Sequence, residues 1–384
     1  MFFSYLRGVF HRKMLDILED NLNRQKVTLL LGARRVGKTE LLQTLFRKKK
    51  KTGLWLNGED QDTLTLLDNR SLANYKKLLE GYNLLIIDEA QFIPDIALKA
   101  KLMIDNIQPL HIILTGSSAF DIEKMGNPLV GRSITHHMFP LAQMEWKQKE
   151  NAIQTRQHLE DRIILGSYPE ISQLTTTTQK VEYLRELVHT YLLKDILMFE
   201  QINNSQKLRD LLVLLAYQVG SEVSMHELGR QLGLSKNTVE RYLDLLSKVF
   251  VIYSRTGYSG NLRKEVAKGR KWYFVDNGIR NAIINNFKPL ALRTDTGALW
   301  EQYMLSERIK YLSYTNRYLV DSFFWRTYDQ QEIDLIEMEN TRLSAFEFKW
   351  KEDKAKTPVA FAKAYPDAPF QLINQFNYLE WIGA

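Results

Sequence analysis

The chain has no cysteine among its 384 residues. That excludes a disulfide framework, cysteine-ligated zinc and thiol catalysis, and it accords with an expected cytoplasmic location. Long apolar runs are also missing. None approaches the roughly 20 residues that cross a bilayer, so no membrane association is expected. Residues 1–10 are aromatic-rich and carry no small-residue cleavage site, so they read as part of the fold and not as a secretory leader. Charge of one sign is in small excess. A net charge of +7 permits a polyanionic partner without demanding one. The sharpest basic run, residues 47–51, suits the last turn of a helix, where cations meet the negative pole of the dipole. The seven histidines are scattered, and the adjacent pair His136 and His137 falls on a strand that points them to opposite faces. No histidine metal site is expected.

What is present is patterned. The length implies two to four domains. Over residues 1–147, short apolar runs at 27–31, 53–57, 84–87, 111–115 and 134–139 alternate with helical segments, the signature of an α/β fold with a parallel sheet. Residues 148–205 read as a helical, lid-like region. Residues 206–285 hold two helices joined by a glycine turn, then strand-like segments. Residues 286–384 return to mixed α/β, with strands near 322–326, 332–337 and 343–350.

The sharpest motif is Gly32-Ala33-Arg34-Arg35-Val36-Gly37-Lys38-Thr39, a G-x-x-x-x-G-K-[ST] loop between an apolar strand and a helix that opens at Glu40. Glycines let the backbone curl so that amide hydrogens face phosphate oxygens, and the helix start adds a positive pole. Lys38 then reaches the β/γ-phosphates and Thr39 offers its hydroxyl to Mg²⁺. The expected ligands are ATP and Mg²⁺. A second strand ends in Asp88-Glu89, beside the loop in such sheets. Asp88 is expected to hold the metal and Glu89 to act on the attacking water as general base. In Leu114-Thr115-Gly116-Ser117-Ser118, Ser117 is the first choice for contact with the γ-phosphate or the water, and Thr115 the second. Arg132, just before the fifth strand, is placed to stabilise transition-state charge, in its own subunit or in a neighbour's within a homo-oligomer.

This order, with Asp88-Glu89-Ala90-Gln91, Gly131-Arg132 and Pro140-Leu141, resembles an AAA+ ATPase. More narrowly it is similar to the bacterial and archaeal group that carries a C-terminal domain of unknown function. Gly166-Ser167-Tyr168-Pro169-Glu170, Tyr191-Leu192-Leu193-Lys194-Asp195-Ile196 and Tyr273-Phe274-Val275-Asp276-Asn277-Gly278 resemble further signatures of that group. The resemblance implies a P-loop NTPase with a RecA-like parallel sheet, and it implies that Gly166 and Pro169 lie over the adenine. From the residues alone, Gly-x-x-Pro says only that the chain turns.

Residues 223–232 and 235–248 read as a helix-turn-helix about Gly233-Leu234, with Ser235 capping the second helix. Val239, Tyr242, Leu243 and Leu246 form the inner stripe of that helix. Lys236, Asn237, Glu240 and Arg241 stand on the other face. Lys236, Asn237 and Arg241 are the candidate contacts to double-stranded DNA. Arg263, Lys264, Lys268, Arg270 and Lys271 would supply a basic wing. Further on, Glu347 and Lys349 share one face of a strand whose other face is Phe346, Phe348 and Trp350. With Asp334 and Glu301 they resemble a PD-(D/E)XK nuclease, an arrangement that implies Mg²⁺ on Asp334 and Glu347, Lys349 on the phosphate or water, and Glu301 assisting. The leading Pro-Asp pair of that motif is absent, since Ile333 precedes Asp334.

The expected architecture is therefore an AAA+ P-loop core (1–147), a helical lid (148–205), a winged helix (206–285) and a restriction-endonuclease-like α/β domain (286–384). The expected function is that of an ATP-hydrolysing switch or motor acting on DNA. Two alternatives stand beside it: an ATP-regulated DNA nuclease, and a non-catalytic scaffold that ATP locks around a protein partner.

Overall fold

Five apolar runs of five or six residues pair into a parallel sheet. In the computed structural model, which describes residues 10–117, 128–192, 205–260 and 269–384, these are β1 (Val27–Leu31), β2 (Gly53–Asn57), β3 (Leu84–Asp88), β4 (His111–Gly116) and β5 (Ser133–His137). Their order is β2-β3-β4-β1-β5. β1, β3 and β4 are buried at every position, which explains why they read as unbroken apolar runs and not as alternating ones. Helices Lys38–Lys49 and Ile96–Asn106 provide crossovers. Leu29, Leu85, Ile87 and Ile112 meet Ala100 and Met103 in one core cluster. The basic run ends the first of these helices, with Arg47, Lys48 and Lys49 in its last turn, as the dipole argument requires.

The chain divides into two compact units, residues 1–140 with 248–250, and residues 141–247 with 251–384. The second unit unites what the sequence parses as lid, helix-turn-helix and C-terminal domain. Buried Asn277 shows why. Its amide donates to Ile163 O at 3.1 Å and Leu299 O at 3.0 Å, and its Oδ1 accepts from Gln302 at 2.9 Å. One side chain thus ties three segments that lie far apart in sequence.

Two small sheets organise this unit. Helix Ser205–Tyr217, β6 (Glu222–Val223), helices Met225–Leu232 and Lys236–Lys248, β7 (Ile252–Thr256) and β8 (Arg270–Phe274) follow in order, with strands arranged β6-β8-β7 and antiparallel. Val223, expected in the helix, is instead paired in β6. Ser224 caps the helix, accepting from Glu227 N at 3.3 Å. Downstream, helix Thr296–Tyr314 precedes β9 (Val320–Arg326), β10 (Glu332–Glu339) and β11 (Arg342–Phe348), then helix Val359–Ala364 and β12 (Phe370–Ile373). The sheet order is β12-β11-β10-β9, antiparallel except for the β11–β12 pair. Among the described residues no helix is long and apolar enough to cross a membrane.

The Gly166 motif has a packing reason. Gly166 sits at φ +74°, and a Cβ there would lie 2.0 Å from Asp276 Oδ1. Asp276 is buried, and its carboxylate accepts from Ser167 N at 2.7 Å and Gly278 N at 2.8 Å. Burial pushes the Asp276 carboxyl above the usual carboxylate range, against the pull of Lys310 and these backbone donors. Gly166→Ala meets both the left-handed backbone and the collision. It is expected to destabilise the second unit by about 3 kcal/mol, read as a lowered midpoint in denaturant unfolding. Pro169 begins the short 3-10 turn Pro169–Ser172.

Candidate functional site

The loop leaving β1 is shaped by what its backbone must approach. Gly32 has no room for a side chain, because a Cβ would stand 2.1 Å from Met138 O. Arg35 and Gly37 both adopt positive φ, at 64° and 95°. These turns curl residues 32–37 and start helix Lys38–Lys49, with Gly37 as its N-cap residue. Lys38 is buried inside the curl, its ammonium donating to Gly32 O at 2.7 Å and Ala33 O at 3.0 Å. Ala33 and Val36 are buried, and Arg35 and Glu40 are exposed. Arg12, far upstream, clamps the loop from behind. Its guanidinium donates to Val36 O and Phe139 O, each at 2.7 Å. Sequence reasoning missed Arg12, since nothing local marks an arginine whose partners are main-chain carbonyls.

At the carboxyl end of β3, Asp88 is buried and joined to two hydroxyls. Oδ2 accepts from Thr39 at 2.8 Å, and Oδ1 accepts from Thr115 at 2.6 Å. Thr115 also accepts from Glu89 N at 2.8 Å. Its hydroxyl is therefore engaged on both sides with the Asp88-Glu89 turn. Ser117 is 3% exposed, and its Oγ has no partner among the described residues. An orphaned buried hydroxyl costs free energy unless something fills the gap. Replacing Thr115 by valine removes a bond to a charged group and strands a backbone N–H. The expected loss is about 3 kcal/mol of stability in the first unit, measured by urea unfolding, together with reduced ATP turnover.

Arg132 lies at the other end of the sheet. Its carbonyl accepts from Val27 N at 2.8 Å, at the start of β1, whereas the P-loop leaves the far end. Four residues of strand separate them by roughly 13 Å. Its Nε donates to Asp105 at 2.6 Å, which raises its pKa further.

In the second unit, Lys236, Asn237, Glu240 and Arg241 are all exposed, as expected from the helical pattern, and Lys236 pairs with Glu240 at 3.4 Å. Of the expected wing, Arg263, Lys264 and Lys268 lie outside the described residues. Arg270 is exposed. Lys271 departs from expectation: it is 1% exposed and points inward. Its ammonium bonds Glu332 and lies 3.8 Å from Glu301. β8 is the central strand of its sheet and is buried at four consecutive positions, so a basic residue there must find carboxylates and not solvent.

Those carboxylates belong to the group picked from sequence. Glu301 accepts from Tyr273 OH at 2.6 Å. Burial pushes the Glu301 carboxyl up, partly offset by Lys271, with Glu332 and Glu347 adding to the rise. Asp334 is pushed well above the carboxylate range by burial and by Glu301 and Glu347, although Phe348 N donates to it at 2.8 Å. Glu347 pairs with Lys349 at 2.9 Å. The four residues do converge. Yet among the described residues no group of three or more histidines and carboxylates has the geometry to hold a metal ion. Lys271 supplies the cation inside the cluster.

Comparison with known proteins agrees with the geometry of the first unit. An AAA domain matches residues 24–147. Two domains of unknown function, DUF8612 and DUF4143, match residues 156–290 and 296–376. An uncharacterized protein of Mycobacterium tuberculosis is 26% identical over 333 residues, which is 85% of this chain and 71% of that protein. One from Methanocaldococcus jannaschii is 23% identical over 379 residues, 93% of this chain and 82% of its own. Among solved structures, the Walker-type ATPase of Pyrococcus abyssi shares the fold, with a TM-score of 0.50 at 17% identity over 72% of this chain and 96% of that one. The loop, its acids and the sheet that carries them thus have a P-loop fold within the stretch that matches an AAA domain, and a stretch that matches DUF4143 follows in the same chain.

Proposed function

We propose that the protein is a Mg²⁺-dependent AAA+ ATPase that works as a molecular switch on double-stranded DNA. The observation that carries the ATPase reading is the meeting of Lys38, Thr39, Asp88, Glu89 and the orphaned Ser117 hydroxyl at the carboxyl ends of β1, β3 and β4. The residues fit the ligand they imply. The Gly32 backbone is tight enough to exclude a Cβ, the ammonium is already inside the loop, and the Thr39–Asp88 pair presents the hard oxygen donors that magnesium takes. When bound there, Mg²⁺ would neutralise charge on the phosphate oxygens. Residues 32–40 bind the triphosphate through backbone amides and Lys38. Glu89 is half-buried, so its carboxylate remains open to water and takes a proton from it. Ser117 donates its free hydroxyl to the γ-phosphate or the water. Arg132 acts, where subunits associate, on a neighbour's site.

The DNA part rests on the second unit. The succession helix, strand, helix, helix, strand, strand, with β6-β8-β7 antiparallel, is the plan of a winged helix. Lys236, Asn237 and Arg241 on the exposed start of its second motif helix face outward as groove-reading residues would. The helix, three strands, helix and strand from Thr296 to Ile373, with Glu301, Asp334, Glu347 and Lys349 gathered on one side, favour a nuclease-like fold. An ATP-regulated nuclease is the second reading. An ATPase assay with and without duplex DNA, followed for strand cleavage, separates them. Stimulation of hydrolysis without cleavage supports the switch. Magnesium-dependent cleavage lost in Glu347→Gln supports the nuclease. Absence of DNA binding at low salt removes both DNA readings.

A further inference from the structure

The Asp88-Glu89-Ala90-Gln91 sequence contains a residue to which the ATPase reading gives no work. Glu89 is a non-glycine residue in the left-handed region, at φ 48°. The turn that holds it there is braced on both sides: Thr115 takes its N–H at 2.8 Å, and Gly58 N donates to Asp88 O at 2.8 Å. Residues Ala90–Phe92 then form one 3-10 turn. That turn folds Gln91 back over Glu89, and the Gln91 amide nitrogen donates to Glu89 Oε2 at 2.5 Å. No other side-chain bond holds the Glu89 carboxylate among the described residues. Among the described residues, the remaining amide atom, Gln91 Oε1, is buried with no partner. The amide therefore makes its bond to the carboxylate while leaving its own acceptor unsatisfied, an arrangement that stability alone disfavours.

We infer that Gln91 is a positioning residue for Glu89: its amide fixes one carboxylate oxygen so that the other faces the attacking water. The inference rests on the reading of Glu89 as general base. It follows from chemistry that a carboxylate with one anchored oxygen has a defined free lone pair, and that proton transfer depends on alignment to within hydrogen-bond reach. A neutral donor suits this task. A cation in the same place would lower the basicity of the carboxylate, and a shorter side chain would not span the turn.

The test uses the full-length protein and measures ATP turnover and nucleotide affinity in Gln91→Ala, Gln91→Asn, Gln91→Glu and Glu89→Gln, each with an unfolding curve. In Gln91→Ala the expected result is a fall in kcat of about tenfold or more, the size expected for a lost bond to a charged group, with ATP affinity within about twofold of the wild type. Gln91→Asn, one methylene short, is expected to resemble it. Gln91→Glu is expected to be slowest at neutral pH and to regain rate as pH falls, because the introduced carboxyl becomes a donor on protonation. A purely structural role would not produce that pH profile. If Glu89→Gln abolishes turnover while Gln91→Ala keeps the wild-type kcat, the inference is wrong and the base assignment stands. If Gln91→Ala loses affinity and kcat together, Gln91 serves binding and not alignment. If Glu89→Gln itself keeps turnover, the base assignment is wrong and the role of Gln91 goes with it.

Discussion

Glu89→Gln is expected to lower kcat for ATP hydrolysis by about 10²–10⁴-fold, the usual contribution of a general base, with little change in nucleotide affinity. The substitution is nearly isosteric and removes only the capacity to take a proton. None of the bonds that shape the binding loop runs through the Glu89 side chain: Lys38 is held by Gly32 and Ala33, Thr39 by Asp88, and Asp88 by Thr115. The turn survives as well, since it is fixed by the Glu89 N–H on Thr115 and by Gly58 on Asp88. The measurement is steady-state ATPase activity beside a binding titration with a fluorescent ATP analogue. A variant that still turns over at the wild-type rate would remove Glu89 from the chemistry and favour the scaffold alternative, in which ATP locks the domains without being consumed.

Lys38→Ala is expected to act on binding. A buried ammonium held at 2.7 and 3.0 Å by loop carbonyls is positioned by the fold before any ligand arrives, so the cost of ordering it has already been met. Truncating one partner of a buried charge pair costs about 2–5 kcal/mol, the middle of which is roughly a hundredfold to a thousandfold in affinity. The substitution also leaves Gly32 O and Ala33 O without their donor. Lys38→Arg is expected to rescue little, because a planar guanidinium does not fit a curl built around a point charge. Isothermal titration of Mg·ATP into both variants measures the loss directly.

Much of the first unit was legible because its signals are local. A buried parallel strand is an uninterrupted apolar run, and a P-loop is eight contiguous residues. Strand ends moved by one or two positions, as with β5, which stops at His137 and not at residue 139. What could not be read was whatever depends on partners distant in sequence. Arg12 holds Val36 and Phe139, 24 and 127 residues away. Thr115 stood second to Ser117 as a polar group at a strand end, and only the approach of β3 shows that its hydroxyl bonds Asp88 and Glu89. Lys271 is the clearest misreading. In a run of five basic residues it counted as wing surface, but the central position of β8 buries it against Glu301 and Glu332. The segments of the second half fall within one compact unit. Asn277 and Asp276, which bind them together, lie in the Tyr273–Gly278 signature, where nothing local marks their distant partners.

The carboxylate group in the DUF4143 region shows where residue identity and chemistry part. Glu347 and Lys349 were paired from strand alternation, and Glu301 and Asp334 joined them by resemblance to a nuclease motif. Their environment adds what spacing lacks: a buried lysine among them, and Glu301 and Asp334 carboxyls driven upward by burial and neighbouring carboxylates.

The most direct test of the whole account is a calorimetric titration of the wild-type protein with ATP, in excess Mg²⁺ and again in excess EDTA. The expected result is one nucleotide per chain, bound far more tightly with the metal than without it, and bound at least a hundredfold more weakly by Lys38→Ala. Equal affinity with and without Mg²⁺, or an unaltered isotherm for Lys38→Ala, would contradict it.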